Sequence, residues 1–328
     1  MVERKGIGIG VIADSVEHLL SLQKALREQN YEISVACRPD ENLRQVLQEF
    51  YPDAWVVCLS PDFDDDDSFD LIFEKISQPL LLDETDCSPT GEIHDRWIQR
   101  VLSKLAVLVV GPRIDIAATT PKREVKQSFP IREGLPEHVW VLGASLGGPE
   151  AVVEFLQNVP ADLPITFVYA QHIDSGFVSV LSDVITKNTS FDVSILKHGD
   201  VMGRGQIKIV PVDEEIRFLT MGRVVTSGRR WSGPYSPAIS QIMAELSEVY
   251  GKDSGTILFS GMGDDGALAS SKVQSYGGQL WLQTSDSCVC SGMVDATKNI
   301  VEPNYIGSPA ELAKALVARY NKISEVTG

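Results

Sequence analysis

Short apolar runs alternate along this chain with stretches whose apolar residues recur at helical spacing. In the first third, "GIGIGVIAD", "YEISVAC", "DAWVVCLS" and "PLLLDE" read as strands. Between and after them, "SVEHLLSLQKALREQ", "PDENLRQVLQEF", "SFDLIFEKI" and "IHDRWIQRVLSKLAVL" read as helices. Residues 111–135 lose the pattern and are rich in proline, threonine and charge, so they read as a linker. Alternation then resumes. "HVWVLGAS", "LPITFVYAQH", "GTILFSG" and "GQLWLQT" are predicted strands. "PEAVVEFLQNV", "GFVSVLSDVITKN", "SPAISQIMAELSEVYG", "DDGALASSKVQSYG" and "SPAELAKALVARYNKI" are predicted helices. Three shorter runs, "FDVSILK", "QIKIVPV" and "EIRFLT", look like partly antiparallel strands. Strand–helix alternation in both parts predicts α/β structure: two doubly wound domains, 1–110 and 136–328, with mainly parallel sheets. No short fixed period indicates a solenoid.

Composition narrows the classes. The chain has 328 residues, 43% of them hydrophobic, which suffices for two buried cores. Its net charge is −16, and residues 1–110 carry 21 acids against 10 bases. Such a surface repels phosphate backbones, so nucleic acid is not an expected partner. The acidic run Asp62–Asp67 reads as a solvated loop, because consecutive carboxylates point in different directions. Five cysteines (37, 58, 87, 288 and 290) form no CxxC, which suits a reducing compartment with neither a disulfide framework nor a zinc site. No apolar stretch has the length of a membrane span and no leader pattern opens the chain, so a cytoplasmic protein without membrane insertion is expected.

The chemistry gathers where predicted strands end. Gly143-Ala-Ser145-Leu-Gly147 spells GxSxG, a tight strand-to-helix turn that lifts a serine hydroxyl clear of the sheet. Pro149 then opens a helix whose free N–H groups favour a developing oxyanion. Small glycine-rich turns are common in α/β proteins, so the motif alone is weak. A serine needs a base, and a base needs an acid to orient it. His172 follows the apolar run "ITFVYAQ", with His198 after "VSILK" as its rival. Asp264 and Asp265 follow "TILFSGMG", where one can cap the next helix and the other can serve as the acid. Ligands of open α/β sheets bind at the carboxyl ends of the strands, and three such ends carry the three residue types of a serine hydrolase. Their order, Ser…His…Asp, is not that of the α/β-hydrolases.

Together, "GASLGGPEAV", "QHIDSGFVSVL" and "FSGMGDDGALA", with "RGQIKIVP" and "SDSCVCSGMVDA" in the same order, resemble the chemotaxis protein-glutamate methylesterases, the CheB family, over about 137–320. The resemblance implies Ser145 as nucleophile, His172 as base and Asp265, the acid before the glycine of GMGxDG, as its partner. It puts Leu146, Gly147 and Met262 around the oxyanion. It implies hydrolysis of glutamate methyl esters on methyl-accepting chemoreceptors, with release of methanol and no cofactor or metal. Glutamine deamidation at the same site, and a chemosensory histidine kinase or adaptor as a further partner, would be in keeping. Three positions depart from the family: Leu146 stands where threonine is usual, Glu215 where a histidine is frequent, and "PYSPAIS" where proline-serine-valine-aspartate opens a helix.

The first part resembles a response-regulator receiver, flavodoxin-like in fold, without its chemistry. Its first strand ends in a single acid, Asp14; Cys58 occupies the phosphoacceptor position; Asp83 and Glu84 follow where a hydroxyl is expected; and no fifth strand with lysine is evident. The expectation is a degenerate receiver, in keeping with a pilus-type chemosensory system. Two other readings are weighed. "GASLGG" also resembles a dinucleotide-binding turn, but neither Tyr169 nor Tyr235 is followed four residues later by the lysine such an oxidoreductase uses. A non-catalytic receptor-binding scaffold is the second.

Overall fold

The computed structural model describes residues 7–60, 63, 65–76, 78–84, 91–110 and 136–327. The chain divides into two compact units, Met1–Thr120 and Pro121–Gly328. The expected linker, 111–135, lies outside the described residues, as does much of the acidic run at 62–67.

In the first unit, strands β1 (Gly8–Ala13), β2 (Glu32–Cys37), β3 (Ala54–Leu59) and β4 (Leu80–Glu84) form a sheet in the order β2-β1-β3-β4, every pair parallel. These are the first four places of the flavodoxin-like order. Helices α1 (Val16–Glu28), α2 (Leu43–Glu49), α3 (Asp66–Lys75) and α4 (Glu92–Val110) alternate with the strands. Local chemistry sets their starts: Ser15 accepts the N–H of His18 to cap α1, and Asp65 accepts that of Ser68 to cap α3. Strands β1 and β3 are buried along their whole length, which is why they read as continuous apolar runs.

At the carboxyl end of this sheet Cys58 is fully buried, flanked in register by Ala13 and Asp83. Asp14 accepts both the backbone N–H and the hydroxyl of Ser60. Asp83 is fully buried and holds three donors from α4: Trp97 Nε1 at 3.1 Å, Arg100 at 2.7 Å and Lys104 Nζ at 2.7 Å. A buried carboxylate needs this pairing, and the pairing bolts α4 to β4.

The second unit is built on seven strands: β5 (His138–Ala144), β6 (Ile165–Gln171), β7 (Asp192–Ile195), β8 (Gln206–Ile209), β11 (Ser254–Leu258), β12 (Gln279–Gln283) and β13 (Tyr305–Gly307). Their order is β13-β12-β11-β5-β6-β8-β7, and every pair is parallel. Helices α5 (Gly148–Gln157), α6 (Val178–Asn188) and α10 (Pro309–Thr327) cover one face around Trp140, Phe155, Phe167 and Tyr320. Helices α7 (Ile239–Tyr250), α8 (Ala267–Ser275) and α9 (Gly292–Lys298) cover the other around Val141, Val168, Ile242 and Met293. The helices after β5 and β11 therefore leave to opposite faces, and a crevice opens between those two strand ends.

The three short runs expected to be partly antiparallel separate into two kinds. Both β7 and β8 join the parallel sheet, because α6 carries the chain back across its face between β6 and β7. Only β9 (Ile216–Phe218) is antiparallel, paired with β10 (Val224–Thr226), a strand too short to show a period. The short β13 and α9 likewise escaped the sequence reading.

Candidate active site

The crevice edge is built from three loops. The first is the turn from β5 into α5. Gly147 sits at the N-cap of α5 with φ +73°, and the Gly148 N–H donates to the Ser145 carbonyl at 2.9 Å. A side chain at 147 would be strained at that φ, and its Cβ would collide with Val289 Cβ and lie 2.9 Å from Ser260 Oγ. The second glycine of GxSxG is thus a steric requirement of the turn, which leaves Ser145 partly buried.

The second loop brings the histidine. The β5–β6 register pairs Ala144 with Gln171, and the His172 N–H donates to the Ala144 carbonyl at 3.0 Å. Ser145 and His172 are the residues that directly follow this last register pair, on adjacent strands whose axes run about 4.8 Å apart. Gln171 fixes both: its amide nitrogen donates to the carbonyls of Ser145 at 2.8 Å and His172 at 3.1 Å. Tyr169 in turn donates its hydroxyl to Gln171 Oε1 at 2.8 Å, which orients that amide.

The third loop follows β11 and carries the acid. His172 Nε2 lies 2.9 Å from Asp265 Oδ2, and the two side chains are 14% and 3% exposed, so water barely screens the pair. The carboxylate also accepts the Ile239 N–H on Oδ2 and the Ser240 N–H on Oδ1, both at 2.8 Å, at the start of α7. Burial pushes the Asp265 carboxyl up, but hydrogen bonds from His172 and Ser240 outweigh it and hold the group below the usual aspartate range. Asp264 goes elsewhere: its Oδ1 accepts the Tyr235 hydroxyl at 2.7 Å. The choice that the residues alone left open is made by the fold. Of the two aspartates, Asp265 is the one that faces the imidazole.

The β11 loop also abuts the serine. Ser145 N–H donates to the Ser260 carbonyl at 3.0 Å, and a Cβ on Gly261 would stand 3.0 Å from Ser145 Cβ. Met262, the next residue, is 38% exposed at the rim of the crevice. Ser260 is fully buried; its hydroxyl donates to the Leu146 carbonyl at 2.7 Å and accepts the Cys290 N–H at 3.0 Å. The chain from Ser145 to Leu146 is therefore held from two strands. Leu146 and Gly147 follow Ser145 in the turn, and Met262 follows Gly261, the residue that abuts it.

His198 is not part of this cluster. It is exposed, and its Nδ1 accepts the N–H of Thr226 on β10 at 3.2 Å. Glu215 is buried against Gln241, Arg217 and Ser227, and those hydrogen bonds, the one from Gln241 foremost, hold its carboxyl below the usual range. Gln171, Tyr235 and Ser260 were missed in the sequence. Gln171 directly precedes the candidate base, but nothing in a single sequence distinguishes it from a surface amide. Among the described residues no group of acids, histidines or cysteines is placed to hold a metal ion, and no helix is long and apolar enough to cross a membrane.

Comparison with known proteins identifies the family of the second unit. The family model described as CheB methylesterase matches residues 140–316. A protein-glutamate methylesterase/protein-glutamine glutaminase of Methanospirillum hungatei is 32% identical over 206 residues, 60% of this chain and 56% of that protein. One of Saccharophagus degradans is 28% identical over 227 residues, 68% of this chain and 58% of its own. The chain thus spans little more than half the length of these two relatives. A third, of Syntrophus aciditrophicus, is 22% identical and aligns along 94% of this chain and 95% of its own. Among solved structures, the catalytic domain of the Thermotoga maritima CheB methylesterase superimposes with a TM-score of 0.53 at 23% identity, covering 55% of this chain and 97% of that domain.

Proposed function

This chain belongs to the CheB methylesterase family, and on that premise we propose that its second unit hydrolyses glutamate methyl esters on methyl-accepting chemoreceptors. The observation that carries the reading is the 2.9 Å bond from His172 Nε2 to Asp265, with Ser145 and His172 each directly following the paired strand ends Ala144 and Gln171. With Nε2–H given to the carboxylate, the Nδ1 lone pair is free to accept the serine proton.

The steps follow from those positions. His172 takes the Ser145 proton as Oγ attacks the ester carbonyl. The oxyanion develops at the helix start, where the backbone N–H groups of Leu146 and Met262 are the candidate donors. Leu146 loses the hydroxyl the family usually has there but keeps its N–H. The imidazolium, held by Asp265, protonates the departing methoxide, and methanol leaves. Water, deprotonated by His172, then attacks the acyl-enzyme, returning free glutamate and Ser145. A glutamine side chain would follow the same path with ammonia as the leaving group, so deamidation is the second activity proposed.

The first unit is proposed to be a receiver that no longer takes phosphate. Cys58 cannot form an aspartyl phosphate, and a lone Asp14 bonded to Ser60 is a poor magnesium site. Its role would be to dock a chemosensory kinase or adaptor, or to restrain the esterase, without phosphoryl control. Acetyl phosphate or beryllofluoride that bound and changed activity would overturn this.

The test of the main proposal is methanol release from methylated receptor membranes. Wild type should release it and Ser145→Ala should not. Receptor binding without release from either protein, or from a chain lacking residues 1–135, would make this a receptor-binding scaffold instead.

A further inference from the structure

Tyr235, in the loop between β10 and α7, lies flat on the His172 ring. The two planes are 2° apart and the centroids 5.1 Å apart. Its hydroxyl donates to Asp264 Oδ1 at 2.7 Å, and the Asp264 N–H points back at the hydroxyl from 3.4 Å. The residue between Met262 and Asp264 is Gly263, at φ +94°, where any Cβ would lie 2.7 Å from the Tyr235 oxygen. The loop that delivers Asp265 to one edge of the imidazole is thus shaped to receive the phenol that covers its face.

We propose that Tyr235, anchored by Asp264, is a positioning residue that holds the His172 ring in the plane where Nε2 meets Asp265, leaving Nδ1 to serve Ser145. The inference rests on the serine-hydrolase reading of the site. A hydrogen bond along one edge leaves an imidazole free to tilt about that bond, and a flat aromatic partner removes the tilt. The ring face also attracts the cation that forms when His172 takes the serine proton. The two adjacent aspartates divide the work: Asp265 takes the histidine, and Asp264 holds the ring that steadies it. The bond to Asp264, and then burial, push the phenol up, so it stays protonated and remains the donor at neutral pH.

The test uses the full chain in wild-type, Tyr235→Phe, Tyr235→Leu and Asp264→Ala forms, each checked for folding by thermal melting. An alkyl fluorophosphonate reports serine reactivity without a receptor, because Ser145 Oγ displaces fluoride from phosphorus as His172 takes its proton. Tyr235→Leu should slow labelling roughly 10- to 100-fold, the scale expected of a misplaced catalytic group. Tyr235→Phe keeps the stack and loses the hydroxyl's two hydrogen bonds to Asp264, so it should stay within about tenfold of wild type, with Asp264→Ala beside it. On receptor membranes the loss should fall on kcat, with KM unchanged. The 15N signals of the His172 ring read the same relation without any reaction: sharp in wild type and Phe, broadened or shifted in Leu.

A Leu variant with wild-type labelling and an unchanged His172 spectrum would overturn the inference. So would a Phe variant as slow as Leu, because the stack would then not be the device. If wild type is never labelled, the serine-hydrolase reading fails, and the ring spectrum still decides whether Tyr235 positions His172. Should Leu not fold, Tyr235→Met carries the same comparison.

Discussion

The backbone N–H of His172 donates to the carbonyl of Ala144, the residue before Ser145, at 3.0 Å. A parallel-sheet register therefore brings the candidate nucleophile and its base to the same sheet edge, before any side chain is considered. The consequences can be measured.

The two aspartates should behave differently. Asp265→Asn offers an amide where Nε2–H, Ile239 N–H and Ser240 N–H all seek an acceptor, and it favours the wrong imidazole tautomer. Methanol release or phosphonate labelling should fall roughly 10³- to 10⁴-fold, as when the acid of such a triad is neutralised. Asp264→Asn keeps an acceptor for Tyr235 and should lose no more than about tenfold. Equal losses would mean that the acid has been misassigned.

Asp265 also predicts how stability depends on pH. Its folded value lies below that of the unfolded chain, so its contribution is complete above the unfolded value, about 3.9, and is lost as pH falls through the folded one. The melting-temperature gap between wild type and Asp265→Asn should hold from neutral pH to about 5 and close below about 4. A gap that closes near pH 6 instead would contradict a depressed carboxyl.

Gln171 ties the Ser145 and His172 carbonyls together from a buried position. Gln171→Leu leaves both without that donor and should cost about 1–3 kcal/mol of stability in the second unit. Activity should drop further than this alone explains, because the elbow shifts relative to the base. Chemical denaturation and labelling rate, measured on one preparation, separate the two effects.

In the first unit, Asp83→Ala removes the anion beneath Arg100 and Lys104. Those side chains are 48% and 28% exposed and can turn to water, so the cost should be about 2–3 kcal/mol, below that of a fully buried pair. Amides of α4 should then exchange roughly 30- to 150-fold faster. Unchanged protection would show that the bolt contributes nothing.

Cys58 yields a prediction of absence. Acetyl phosphate should leave no acid-stable or hydroxylamine-sensitive phosphate on the first unit, whereas a receiver with an aspartate there would be labelled. The thiol is fully buried, so alkylating reagents should reach it only on unfolding.

Much of this was legible in the sequence because it is local. Among the described residues, apolar period, caps and glycine turns placed nine of the ten α-helices and every strand but β10 and β13 within a few residues, and the ends of β5, β6 and β11 each marked a candidate group. That Ser145, His172 and an aspartate stand at the same sheet edge followed from each ending an apolar run. The remainder depends on contacts between distant parts of the chain. Asp265 rather than Asp264 faces the base because α7 presents its first N–H groups to one carboxylate, 26 residues away in sequence, while Tyr235 captures the other. Ser260 reaches Leu146 across 114 residues, and Asp83 finds its cations on a helix that opens past the strand carrying it. Periodicity reports how each segment meets water or core, which residue type and spacing determine. Which polar atoms meet inside is decided only when strand order and register bring them within about 3 Å, and no single segment carries that information.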